Sequence, residues 1–225
     1  MLTRHHVAAI GTCLVAATQS AIAAPVTWVD WVSGVNGTNG SASGLLNIGA
    51  ETVNVNYSGE IAFLQTSGGT NYFIPSKPYV SALVDNAPAT PDIIALSRQS
   101  TKTLTFSKPI DNLFFAVVSL NGNGWRFNQD FDVVSFGTGY WGAGTMTRVD
   151  LGNGQFEVTG TGEPHGVIRF KGAVSSITWD SLVNEYWNGF TVGTYGLAPI
   201  PEPQTQALML AGLVAVAAIV RRRRS

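Results

Sequence analysis

The chain is poor in cysteine and in charge. Its 225 residues include one cysteine, Cys13, so no internal disulfide can form and the fold must depend on its hydrophobic core. Charged side chains make up 12% of the residues, against about 25% in a typical soluble domain. Such a composition excludes a disulfide-stapled scaffold.

The central part of the chain lacks a sustained helical stripe of apolar residues. Short alternating or β-branched runs recur instead between Gly, Asn and Pro turns, which is typical of strands. The predicted strands include 52–57, 102–106, 112–120, 131–136, 155–160, 166–172, 175–180 and 189–196. We therefore predict one all-β domain, a β-sandwich or jelly-roll-like fold, over residues 24–197. The segment "NGTNGSASG" (36–44) is predicted to be a flexible turn.

Catalytic motifs are also missing. There is no G-x-S-x-G elbow and no His-rich or Cys-rich metal spacing, and outside the N-terminal segment the only histidine is His165. A lone histidine near a turn is more often a structural hydrogen-bonding residue. Four carboxylates match glycosidase chemistry by type only, because sequence cannot pair them across a cleft: Glu157, Glu163, Asp180 and Glu185. We therefore predict that the protein is not an enzyme, with a secreted hydrolase as the least favoured alternative.

No cofactor is predicted, with one weak alternative. Asp130 and Asp132 alternate on a strand-like run and share one face. With nearby amide or backbone oxygens they are candidates for calcium ligands. No EF-hand pattern surrounds them, so a solvated strand face is the favoured interpretation.

The N-terminal residues 1–23 have the pattern of a signal peptide. A basic region at Arg4 precedes a short apolar run, and Ala21 and Ala23 form an A-x-A cleavage site. Signal peptidase is expected to cut between Ala23 and Ala24. A lipoprotein reading would use Cys13, but "IGT" before it is a poor lipobox.

The C-terminal segment 198–225 has three parts in a fixed order. Two prolines keep Pro201, Glu202 and Pro203 extended. The uncharged run 207–220 is predicted to be a helix of about 21 Å, short for a bilayer core of about 30 Å. The basic cluster that follows should stay on the cytoplasmic side; it consists of Arg221, Arg222, Arg223 and Arg224. This order predicts a short transmembrane helix that anchors the chain transiently.

Residues 201–225 resemble the PEP-CTERM sorting signal of Gram-negative, biofilm-forming bacteria. The resemblance implies export, transient anchoring in the inner membrane and cleavage by an exosortase near residues 201–203. It further implies release to the cell surface or the extracellular matrix, where such proteins are usually associated with extracellular polysaccharide. The same tail is also labelled after ice-binding proteins that carry it, a label that describes the tail and need not describe the rest of this chain.

The body resembles a globular domain that recurs upstream of this tail. The likeness rests on "VDWVSGVNGTNGSASG", "GGTNYF", "FDVVSFGTGYWGAGT" and "EPHGVIRFKGAVSSITW" and covers most of residues 28–193. It implies architecture and export rather than a particular activity.

Processing would change the charge of the protein. Without Arg4, Glu202 and the four terminal arginines, 8 basic and 13 acidic side chains remain, a net charge of −5. An acidic body argues against nucleic acid as a partner.

A set of aromatic residues in or beside predicted loops supplies the candidate binding site: Trp125, Tyr140, Trp141, Tyr186 and Trp187. Aromatic rings stack on sugar faces, so these residues are candidates for carbohydrate binding; the alternative is that they fill the core. We predict a structural or adhesive surface protein. The alternative is a carbohydrate-binding module that acts on exopolysaccharide.

Overall fold

A computed structural model describes residues 25–198. Three sets of predictions lie outside the described residues: the signal peptide 1–23, the Pro-Glu-Pro strip 201–203, and the helix 207–220 with its arginines. Within residues 25–198, no helix has the length and apolar character needed to cross a membrane.

The described residues form thirteen strands and one short 3-10 helix. The strands are β1 (Thr27–Trp28), β2 (Asp30–Val35), β3 (Gly37–Ile48), β4 (Glu51–Ile61), β5 (Phe63–Gln65), β6 (Ile93–Leu96), β7 (Thr101–Val118), β8 (Gly124–Phe127), β9 (Phe131–Gly137), β10 (Gly144–Gly152), β11 (Gln155–Gly162), β12 (His165–Ser181) and β13 (Asn188–Leu197). The 3-10 helix (Lys77–Tyr79) lies between β5 and β6.

Two long strands, β7 and β12, organise the sheet. They pair with each other in an antiparallel ladder, with register shifts between Phe170 and Ala173 and between Val174 and Ser176. On its other side, β7 pairs with β4 through residues 103–106 and with β13 through residues 110–118. In the same way β12 pairs first with β9 and later with β8. Each long strand therefore belongs to two layers, and its bend connects them.

The burial pattern of each strand follows from which of its faces is covered. In β4, Val53, Val55 and Tyr57 are buried and the residues between them are exposed, because one face packs on the core and the other faces water. In the second part of β7, residues 113–118 are all buried. This strand is covered on both faces, which explains its continuous apolar run.

The main core lies between the two layers and is rich in aromatic rings. Phe115 on β7 lies 5.4 Å from Trp179, 6.2 Å from Trp125 and 5.2 Å from Phe190 between ring centroids. Complete burial of a side chain such as Phe115 contributes about 1.5–3 kcal/mol. A core of this kind stabilises the domain without disulfides.

A second, smaller core lies on the outer face of the layer that contains β13. There Phe114 and its neighbours on β7 are covered by Phe73, Tyr79 and Val84, which belong to the segment between β5 and β6. This covering segment also carries Tyr72 to the edge of the sheet. It thereby places an aromatic ring next to the loop that follows β9.

The Gly-rich segment 36–44 is not a turn, and the prediction that it is flexible is wrong. It forms most of β3 and pairs with both β2 and β4. A Cβ on Gly44 would lie 2.7 Å from Val29 and 2.8 Å from Trp31. A small residue is required here because Trp31 packs directly over the strand.

The prediction of an all-β, sandwich-like fold is confirmed. One feature differs from it: the layers are parts of one continuous hydrogen-bonded sheet. The predicted strand 102–106 and most of the predicted strand 112–120 belong to β7, which ends at Val118. The predicted strands 166–172 and 175–180 both belong to β12. Pro109 and Gly172 lie inside long bent strands and do not end them.

Candidate functional site

The structure divides the five aromatic candidates into two groups. Trp125 is 0% exposed and packs among core rings, so the prediction that it binds carbohydrate is wrong for the folded domain. Its ring faces the main core, where Phe115, Trp179 and Phe190 cover it. The other candidates lie close together at one end of the sheet: Tyr140, Trp141, Tyr186 and Trp187.

Three of these aromatic residues line a surface cleft that also contains polar side chains. The lining residues are Ser119, Asn121, Trp141, Glu163, Tyr186 and Trp187. The cleft has a volume of about 230 Å³, below the roughly 300–1,000 Å³ of a typical small-molecule pocket. It is therefore smaller than a typical cofactor pocket.

Two larger clefts have a different character. Their volumes are about 430 Å³ and 460 Å³, and no aromatic ring lines either of them. The first contains Glu157 and Asp180, but Glu157 is paired with Arg126 and Asp180 accepts a hydrogen bond from Thr101. A fourth cleft of about 240 Å³ is lined by one tryptophan, Trp28, beside Asn86 and Asp92. We favour the cleft at Trp141 because three aromatic rings and a carboxylate line it together.

Trp141 is exposed yet held firmly by neighbouring rings. Its side chain lies 4.9 Å from Tyr140, 6.3 Å from Tyr72 and 6.2 Å from Trp187 between ring centroids, while the residue is 52% exposed. Tyr72 in turn packs edge-on against Trp187 and lies near Phe63. The exposed ring face is therefore preorganised, which lowers the entropy cost of binding a ligand on it.

Tyr186 differs from the other rings. It is 94% exposed, and in the described residues its ring has no aromatic neighbour. It borders the cleft beside Trp187. Tyr186 can therefore adjust to a ligand, whereas Trp141 offers a fixed surface.

His165 supports the loop that carries Trp141. It is 0% exposed, and Tyr79 Oη lies 3.0 Å from its Nδ1. The backbone N–H of Trp141 donates to Nε2 at 3.4 Å, which leaves the proton on Nδ1 to be donated to Tyr79. Tyr79 donates in turn to the carbonyl of Tyr72 at 3.4 Å. His165 therefore connects the two chain segments that carry Tyr72 and Trp141.

The fit around His165 is tight. A Cβ on Gly139 would lie 2.1 Å from the imidazole ring, so only glycine fits there. Burial lowers the pKa of His165 to about 4, and the ring is neutral at neutral pH.

Glu163 is the charged group of the cleft. Its carboxylate accepts hydrogen bonds from Ser119 Oγ and Asn121 Nδ2, and its backbone N–H donates to Ala143 at 2.9 Å. Among residues 25–198 it forms no ion pair. Ser119 adopts a left-handed backbone with φ of 55°, a conformation that costs a non-glycine residue about 1–3 kcal/mol and is frequent at functional sites.

A second carboxyl group, Glu185, lies on the segment that precedes Trp187. Burial raises its pKa to about 7, the hydrogen bond from Asn188 opposes this increase, and the charge of Glu163 adds to it. Asn188 donates to Glu185 Oε1 at 2.7 Å. Within the described residues, Glu185 Oε2 and Asn188 Oδ1 are buried without a hydrogen-bond partner.

The calcium candidates Asp130 and Asp132 are both paired with cationic side chains. Arg148 donates to Asp130 at 2.6 Å, while Arg169 and Lys171 lie 2.8 and 2.9 Å from Asp132. Burial alone would raise the pKa of Asp132, but the hydrogen bonds and charges of its two partners lower it overall. In residues 25–198 no group of three or more His, Asp or Glu side chains has a metal-binding arrangement.

Sequence reasoning missed part of this site. Tyr72 and Phe63, which support the exposed rings, come from chain segments more than 60 residues before Trp141. Glu163 was a candidate by residue type, but its position beside Trp141 depends on the pairing of β12 with β9. The signal that could have found Ser119 and Asn121 is their place at the end of a long apolar strand, beside a turn.

A family model described as the PEP-CTERM protein-sorting motif matches residues 199–224. Comparisons with curated proteins and with solved structures find no match. The match confirms the resemblance of the C-terminal segment, which contains Pro201, Glu202 and Pro203 and the four arginines. The chain is therefore an exported bacterial protein that an exosortase sorts to the cell surface.

Proposed function

We propose that this protein is an adhesive component of the cell surface or biofilm matrix of a Gram-negative bacterium, and that it binds extracellular polysaccharide through the cleft at Trp141. The observation that carries the proposal is the exposed Trp141 ring, held by Tyr72 and Trp187 beside the hydrogen-bonded Glu163. An aromatic face next to polar groups matches the two sides of a sugar ring, with its C–H faces and its hydroxyl edge.

The size of the cleft determines the expected mode of binding. Its volume of about 230 Å³ accommodates a single sugar unit of a chain, and each stacked ring contributes on the order of 1 kcal/mol beyond its buried area. Binding of one site is then weak. Adhesion becomes strong when many copies of the protein engage one polysaccharide, since linked sites raise the effective concentration.

We also propose that the cleft binds sugar without hydrolysing it. The two oxygens of Glu163 are fixed by Ser119 and Asn121, an arrangement suited to holding a ligand hydroxyl. Glu185 is the only other carboxyl group described near the cleft, and its Oε1 is engaged by Asn188. Incubation with polysaccharide should produce no new reducing ends, and their steady release would contradict this part of the proposal.

Affinity electrophoresis of the exported, processed protein in gels that contain host-matrix polysaccharide tests the proposal. Wild-type protein should be retarded, and Trp141→Ala should lose most of the retardation while unfolding at the same temperature. Phe136→Ala is the matched control, because Phe136 is also an exposed ring but does not line the cleft. Equal retardation of wild type and Trp141→Ala, or no retardation by any glycan, would contradict the proposal.

A further inference from the structure

The cleft has a negative charge with no cationic partner on the protein. Glu163 forms no ion pair among residues 25–198, whereas Asp130, Asp132 and Glu157 are each paired with an arginine. Glu163 is also held in place by two donors, Ser119 and Asn121. An ionised carboxylate offers about four lone-pair sites, so its oxygens can accept further hydrogen bonds from a ligand in the cleft.

The rings beside Glu163 also favour a positively charged ligand. Trp141 and Trp187 line the cleft with Glu163, and the faces of aromatic rings carry the negative part of their quadrupole. Tyr186 adds a third ring at the border. A cation placed between the carboxylate and these rings is stabilised by both, whereas a uronate would be repelled by Glu163.

The other groups of the cleft favour a ligand that carries hydroxyl groups and a flat ring face in addition to a positive charge. Asn121 is exposed at the cleft, and its amide oxygen stays available for a hydroxyl because its nitrogen donates to Glu163. The flat face of Trp141 suits a pyranose ring. A sugar that carries its own ammonium group satisfies the carboxylate, the amide and the ring together.

We propose that the cleft selects sugar units with a free amino group, that is, N-unsubstituted hexosamines within a partly deacetylated polysaccharide. This inference rests on the proposed function and specifies its substrate class. The ammonium group binds Glu163, the pyranose face stacks on Trp141, and the ring hydroxyls bind Asn121. N-acetylation removes the cation and thus the contact with Glu163.

The test measures the affinity of the exported, processed protein for four 1,4-linked tetrasaccharides by isothermal titration calorimetry, in a buffer acidic enough to protonate the amino sugar. The tetrasaccharides of glucosamine, N-acetylglucosamine and glucose are β-1,4-linked, and that of galacturonic acid is α-1,4-linked. Glucosamine should bind at least about fivefold more tightly than glucose in low salt, as expected for an exposed ion pair with a cation–π contribution. The preference should shrink in 0.5 M NaCl, where charges are screened within about 4 Å.

Two variants separate the preference from binding itself. Trp141→Ala should weaken the binding of every sugar. Glu163→Gln should lower only the affinity for glucosamine, to the affinity that the protein has for glucose. Glu51→Gln removes the same charge from an exposed position beside the β3–β4 turn and should leave the preference intact. This control distinguishes the cleft from general attraction of a cationic sugar to an acidic protein.

The outcomes separate this inference from the proposed function. If no tetrasaccharide or matrix polysaccharide binds, the proposed function fails. If glucose and N-acetylglucosamine bind as tightly as glucosamine, only the amino-sugar preference fails. Choline carries a cation without a sugar ring, and binding of choline as tight as that of glucosamine would also overturn the preference.

Discussion

Nδ1 of His165 and Oη of Tyr79 lie 3.0 Å apart where neither side chain reaches solvent. The pair connects the segment that covers the second core with the loop that carries Trp141. The geometry of the exposed ring therefore depends on the protonation state of a buried imidazole.

The first prediction concerns the pH dependence of stability. Burial lowers the pKa of His165 from 6.5 to about 4, so the unfolded chain binds a proton before the folded one. The free energy of unfolding should fall by up to about 3 kcal/mol as the pH decreases from 6.5 to 4. Urea unfolding of wild type and His165→Gln at several pH values isolates this contribution.

His165 is the only histidine within residues 25–198, which allows a direct check. Its imidazole NMR signals should show no titration between pH 8 and pH 5. A midpoint near 6.5 in the folded protein would show that His165 is not held as described.

The second prediction concerns Glu185, whose effect on stability has the opposite pH dependence to that of His165. Burial raises the pKa of Glu185 from 4.5 to about 7, so the folded state binds the proton that the unfolded state has released. The contribution of Glu185 to stability is present below pH 4.5 and is lost as the pH rises to 7. Glu185→Gln keeps an acceptor for Asn188 and should be more stable than wild type at pH 8, with no such gain at pH 4.5. Thermal unfolding at both pH values measures this, and a variant less stable than wild type at pH 8 would contradict it.

The third prediction concerns two buried charges that hold one loop. Glu60 accepts hydrogen bonds from the backbone N–H groups of Ser97 and Arg98, and Lys102 Nζ donates to the carbonyls of Arg98 and Ser100. Burial lowers the pKa of Lys102 to about 8, although the charge of Glu60 opposes this. Lys102→Met should destabilise the domain by about 3 kcal/mol or more, because buried carbonyls lose their donor and Glu60 loses a nearby cation.

A double-mutant cycle tests the link between these charges. Glu60→Gln combined with Lys102→Met should cost less than the sum of the single variants, as measured by urea unfolding. Strict additivity would mean that the two side chains stabilise the loop independently.

The fourth prediction concerns processing. The released protein should begin at Ala24 and lack the arginines at 221–224, as shown by N-terminal sequencing and intact mass. Glu202→Ala should leave the chain uncut in the membrane fraction, because the apolar run and the arginines are unchanged. Replacing the four arginines by serine should misplace the chain, since the orientation signal is lost. Wild-type protein in the medium with its arginines attached would contradict cleavage.

The fold class was predictable from the sequence because alternation such as that of Val53, Val55 and Tyr57 is a local signal. The continuity of the sheet could not be predicted from the sequence. Pro109 and Gly172 are residues that usually end strands, yet here they lie in bends of β7 and β12. The pairing of these strands, whose partners are 49 to 79 residues apart in sequence, outweighs the local preference.

The candidate site was predictable in part. Tyr140–Trp141 and Tyr186–Trp187 each stand as neighbouring aromatics beside turns, and both pairs reach the surface. Trp125 also follows a Gly- and Asn-rich turn, but it lies on a central strand and is buried. Whether a tryptophan faces the core depends on strand register, which the sequence around it does not specify.

The position of β13 determines how a pulling force would pass through the domain. Its first residue follows Trp187 at the cleft, and its last lies next to Ala198, directly before the sorting motif. Ten residues of strand span about 33 Å. A ligand held at the cleft by other segments, such as Ser119 directly after β7, and a tether at the C-terminal end of β13 would therefore pull β7 and β13 in opposite directions. Eight residue pairs join β13 to β7 along this direction. Their hydrogen bonds would be sheared together instead of opening one after another, and adhesion under flow would then load the sheet in its most resistant direction.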